Sequence, residues 1–75
     1  MSIIELERNI HDLELDELGH STVAAHAALQ VIDPHTLAIV VYCGHNAQLI
    51  EQAIRGQHYQ TKEITSAHEI ITITI

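Results

Sequence analysis

The lone cysteine, Cys43, ends an apolar run and is followed by Gly44, His45 and Asn46, the last able to cap a helix. A thiol at a helix N-terminus meets unpaired N–H groups and partial positive charge, which favour the thiolate. One chemistry is that of a sulfur (persulfide) or redox carrier, with Cys43 as its catalytic residue and His45 or His20 as the activating neighbour. Another is a soft-metal site for zinc or copper formed by Cys43, His45 and His20, because thiolate and imidazole suit both ions. The spacing matches no paired Cys-x-x-Cys signature. A plain packing role competes with both chemistries, since free cysteine is among the most buried residue types.

Other chemistry-bearing groups are less well placed. On a strand, Asp16 and Glu17 would point to opposite faces and make a poor acid–base pair. Ser21 has His20 and His26 nearby in sequence, but neither a nucleophile elbow nor a third group accompanies it, and helix capping explains it adequately. Only Gly19, Gly44 and Gly56 are present, so there is no glycine-rich phosphate loop, and no cofactor is expected. Seven histidines face a formal charge of −7, so protonating all of them would bring the chain to neutrality. A His-rich solvated surface is the simplest account of them.

Composition narrows the partners. Three Lys and Arg against ten Asp and Glu, with no Phe or Trp, disfavour nucleic acid. The longest apolar run, 37–43, is too short to cross a bilayer, and no basic-then-apolar leader opens the chain. One cysteine excludes an internal disulfide and fits a reducing, cytoplasmic setting. Seventy-five residues give one domain with a small core, which favours oligomerisation or a larger partner.

The elements that must position these groups follow from periodicity. Ser21 or Thr22 can cap a helix running to about Ile32, with Val23, Ala24, Ala27, Ala28 and Val31 as its apolar stripe. The run 37–43 predicts a central strand, with Leu37, Ile39 and Val41 on one face and Ala38, Val40 and Tyr42 on the other. Asn46 to Gly56 predicts a second helix with Leu49, Ile50, Ala53 and Ile54 buried. A weak polar strand over 58–65 and a clean alternation over 71–75 complete the pattern. Ile3, Leu6, Ile10 and Leu13 sit at helical spacing, whereas Leu13 and Leu15 alternate with acids, so residues 1–11 form an extension of uncertain shape.

The segment 13–22 contains Leu15, Asp16, Leu18 and Gly19, and in this it resembles the TusA/SirA-like sulfurtransferase family over residues 12–75. Thr22 and Val23 stand where that family has its Cys-Pro pair. The resemblance implies that 13–17 is a strand and that the fold is α+β, a two-layer sandwich ordered β-α-β-α-β-β. Its four-stranded mixed sheet would carry two helices on one face, with 37–43 and 70–75 in the middle and charged strands at the edges. A parallel first crossover would gather His20, Ser21 and Thr22 with Cys43 and His45 at one sheet edge. Val40-Val41-Tyr42-Cys43-Gly44 before a helix also resembles the active-site loop of rhodanese-type sulfurtransferases, without the arginine usual there.

Losing the motif cysteine implies loss of the family's persulfide transfer step while a docking surface remains. The expected function is therefore a non-catalytic protein-interaction or regulatory module, with a protein partner or a second copy as its target. The surface would comprise Val40 and Tyr42 on an open sheet face and His20, Ser21 and Thr22 at the motif edge. The alternatives are the Cys43 carrier and the soft-metal site.

Overall fold

In a computed structural model of residues 1–75, the chain forms two helices and a four-stranded sheet, with a two-stranded hairpin between them. Helix α1, Ile3–His11, starts at Ser2, whose hydroxyl accepts from the Glu5 N–H at 3.2 Å. A hydroxyl at this position satisfies one of the orphan donors of the first turn. Ile3, Leu6 and Ile10 follow at i, i+3 and i+7 and are all buried. The N-terminal spacing is thus helical, and its apolar stripe belongs to the common core.

Strands β1 (Glu14–Leu15) and β2 (Ser21–Thr22) pair as a separate antiparallel hairpin. The main sheet comprises β3 (Ala27–Asp33), β4 (Thr36–Val41), β5 (Glu63–Ala67) and β6 (Ile70–Thr74). Its order is β3-β4-β6-β5, with every pair antiparallel. Helix α2, Ala47–Gly56, follows a short 3-10 turn, Gly44–Asn46, and buries Ala47, Ile50 and Ile54. The α+β class therefore holds, as do the two helices on one face and the central place of the two apolar strands.

Several local expectations are corrected. The helix predicted from residue 22 to 32 is a 3-10 turn, Val23–Ala25, followed by strand β3. The segment 13–17 contributes only two residues to a side hairpin, so the order β-α-β-α-β-β and the parallel crossover are absent and the sheet is antiparallel rather than mixed. Asp33-Pro34 is a hairpin turn instead of a helix boundary, closed by the His35 N–H donating to Asp33 Oδ1 at 2.8 Å. The polar strand starts at Glu63, not at residue 58, and Asn46 caps α2 without a side-chain bond. Edge strand β3 carries charge only at Asp33, so that edge is guarded less than expected.

One face of the sheet makes the core. Ala27, Leu37, Ile39, Val41, Ile71 and Ile73 are buried there, and the buried stripes of both helices join them in one cluster. Edge strand β5 is tied to α2 by side chains. Ser66 Oγ donates to Glu51 Oε1 at 2.7 Å, Arg55 Nε to Glu51 Oε2 at 2.9 Å, and Arg55 Nη2 to the Ile64 carbonyl at 2.7 Å. The hydroxyl of Ser66, and then Arg55, hold the Glu51 carboxyl below its ordinary value.

Candidate functional site

Strand alternation sends a second set of side chains to the face without helices, and the cross-strand register arranges them in rows. The first is Ala28–Val40–Ile70–Ala67, wholly apolar, with Tyr42 just beyond it. The second is Gln30–Ala38–Thr72–Thr65, polar but uncharged. The third, Asp33–Thr36–Thr74–Glu63, carries an acid at each end. Val40 is 39% exposed, Ile70 43%, Ile32 54% and Tyr42 69%, so no part of the chain covers this face. The predicted parity of Val40 and Tyr42 is thus observed.

Cys43 is exposed rather than packed, because β4 ends at Val41 and the chain turns there into the 3-10 segment. The packing role expected for it does not apply. Its carbonyl accepts from the Asn46 N–H at 2.9 Å, while its side chain makes no capping bond. Of the histidines expected beside it, His45 follows two residues on, exposed in the 3-10 turn Gly44–Asn46, while His20 belongs to another element. His20 sits on the small hairpin, at positive φ next to Gly19, with its Nδ1 3.1 Å from Asp16 Oδ1. Its potential ligand atoms cluster with those of exposed Glu14 and Asp16, within 4.8 Å of one another, and Cys43, His45 and His20 form no such group.

The other histidines are spread over turns and element ends. His58 and His68 adopt positive φ, His35 sits in the β3–β4 turn, and His11 pairs with neighbouring Asp12 at 2.9 Å. His68 is at the first central position of a two-residue hairpin loop, a place that favours glycine. None of these four belongs to a cluster of three or more ligating side chains.

One contact brings together groups that the sequence left apart. Ser21 Oγ lies 2.6 Å from the Leu18 carbonyl and 2.6 Å from His26 Nε2. A hydroxyl has one proton, and with that proton on the Leu18 carbonyl the matching tautomer of His26 is the one whose Nε2–H donates to Ser21 Oγ. In this arrangement His26 holds Ser21 in place on the hairpin. The His26 carbonyl in turn accepts from the Tyr42 N–H at 2.9 Å. The small hairpin is thereby pinned to the end of β4, one residue before Cys43. A period-two reading of Ala27, Leu29 and Val31 would have put His26 at the head of a strand opposite Tyr42.

The pKa shifts fall on structural groups. Apart from Glu51, the His35 N–H holds Asp33 below its ordinary value, and burial raises Tyr59. The largest concavity, about 820 Å³, is an open groove between the start of α1 and the β3–β4 turn. Met1, Ile4, Val31, Pro34 and Ile75 line much of it. Of its polar residues Ser2, Asp33, His35 and Gln60, the first two are already engaged by backbone N–H donors of Glu5 and His35. No helix is long and apolar enough to cross a membrane. No protein-family model matches this chain, and no curated protein matches it.

Proposed function

We propose that this chain is a protein-interaction module that docks through the open face of its sheet. The observation behind this is the uncovered apolar row Ala28–Val40–Ile70–Ala67 with Tyr42 at its margin. A contiguous apolar patch on a small acidic chain marks an interaction site more often than scattered exposed side chains do. Support comes from the sheet face alone, because the family-like residues Leu15, Asp16, Leu18 and Gly19 lie on or beside the small hairpin, outside the sheet. A lone exposed thiol is compatible with the cytoplasm, where we place the protein.

A photo-crosslinking residue in place of Tyr42, expressed in cells, is expected to give protein adducts several-fold more abundant than the same residue in place of Gln52, which is exposed on α2. The yield at position 42 should be unchanged by Cys43→Ala. Equal silence at both positions would remove the docking reading.

The exposure of Cys43 favours a second reading, a sulfur or redox carrier acting through that thiol. For a carrier, alkylation by iodoacetamide should reach half its maximal rate well below the free-thiol value of about pH 8.5. A midpoint at or above that value would end the carrier reading.

A further inference from the structure

Backbone alternation shows which groups the sheet leaves unpaired. The Val41 N–H donates to the Glu69 carbonyl at 2.8 Å, on the β6 side, so Ile39 and Leu37 address β6 as well. Their partners on β3, Leu29 and Val31, therefore turn N–H and C=O away from the sheet. No turn, loop or side-chain bond from elsewhere in the chain reaches the main chain of these two residues. Their side chains face the core yet are only half-buried.

The opposite edge is closed. The same alternation turns Ile64 of β5 outward, and Arg55 Nη2 already donates to its carbonyl at 2.7 Å, with Lys62 and Glu63 just before it. On β3, Ala28–Ile32 holds no charge, proline or glycine, and the one irregularity lies at its end, between Val31 and Asp33. Proteins usually protect or cover such an edge. The molecule guards one edge of its sheet and leaves the other bare.

From this asymmetry we infer that the β3 edges of two copies of this chain pair antiparallel, about a two-fold axis at Gln30. Free donors and acceptors on alternate residues call for another extended backbone. In this register Leu29 and the second copy's Val31 exchange bonds, and the reverse pair does the same, about four in all. On the core face Leu29 lies against Val31 across the seam, completing the burial of both. On the open face Gln30 meets its counterpart, amide to amide, with Ala28 against Ile32 on either side. Asp33 falls opposite Ala27, so the two acidic chains bring no like charges together along the seam. A foreign strand would find no charge on Ala28–Ile32 to select it, whereas a second copy supplies the matching row by symmetry. With β5 closed by Arg55, growth stops at two copies. The seam is short, so the pair is transient and driven by concentration.

Sedimentation equilibrium of the full chain from about 10 µM to about 2 mM covers association of this strength. The mean mass is expected to rise from 8.3 kDa toward twice that value and no further. Amide exchange by NMR on the wild type locates the seam. Leu29 and Val31 should exchange about two-fold or more slowly at high than at low concentration, while Ala28 and Gln30, bonded to β4, are protected alike at both. Gln30→Lys and Gln30→Glu, at an exposed position, should each associate about five-fold more weakly or worse, and an equimolar mixture of the two should recover the pair. A wild type that stays at 8.3 kDa throughout overturns the inference. A dimer whose Leu29 and Val31 amides stay unprotected also overturns it, since the copies would then meet elsewhere. Growth beyond two copies, or a mixture no better than its components, does so too.

Discussion

Deleting residues 1–11 is expected to leave the chain without a cooperative thermal transition. Ile3 is 5% exposed and Leu6 and Ile10 are fully buried, all three in the cluster that joins both helices to the sheet. Burying an aliphatic side chain contributes about 1.5–3 kcal/mol, so losing three removes roughly 5–9 kcal/mol. A domain of this length is held by only about 4–11 kcal/mol in total. The deletion also bares part of the core-facing side of β3 and β4, the strands against which α1 packs. Leu6→Ala gives a graded form of the same test and should cost about 2–5 kcal/mol. A deletion variant that melts cooperatively, within a few degrees of the full chain, would show that α1 does not hold the core in solution.

Ile39→Ala should be nearly as damaging. Ile39 is fully buried at the middle of β4, opposite Leu29 on one side and Ile71 on the other. Its neighbours are strand residues that cannot easily collapse into the space left behind, so the cost belongs near the upper part of the 2–5 kcal/mol range. At roughly 4–8 °C per kcal/mol, the melting midpoint would fall by some 20 °C. Val40, the next residue, points to the open face and is 39% exposed. In dilute protein Val40→Ala should cost less than about 1 kcal/mol. Equal losses at the two positions would contradict the assignment of faces.

That parity was legible because 37–43 has a single interpretation: a β-branched apolar run can only alternate across a sheet. Helix α2 was equally plain, from its apolar spacing and the glycine at its end. Residues 22–32 misled for a physical reason. Ala24, Ala25, Ala27 and Ala28 favour a helix intrinsically, and Val23, Ala27 and Val31 recur at helical spacing. The same stretch also alternates, through Ala27, Leu29 and Val31, and pairing with β4 decides between the two. Propensity is a weak prior where a strand partner is available. That one reversal explains the site as well. With no helix between them, the small hairpin and the start of α2 are no longer joined by a parallel crossover, so Cys43 and His20 have no reason to meet. The His26 link to Ser21 could not be foreseen without that hairpin, and the exposure of Cys43 depends on where β4 stops.

The way the sheet is connected fixes the order in which it can assemble. Strands β3 and β4 are joined by two residues, as are β5 and β6, so each hairpin closes locally. Only the pairing of β4 with β6 spans a long stretch of chain, the one that contains α2 and β5. Closing a loop of about 30 residues costs roughly 3 kcal/mol of chain entropy before any contact offsets it. The slow step is therefore the docking of two finished hairpins along Leu37–Ile73 and Ile39–Ile71. The Ser66–Glu51–Arg55 contacts then act as a late clasp on the outer strand. Changes at the central pairs slow folding, whereas changes at the clasp mainly speed unfolding.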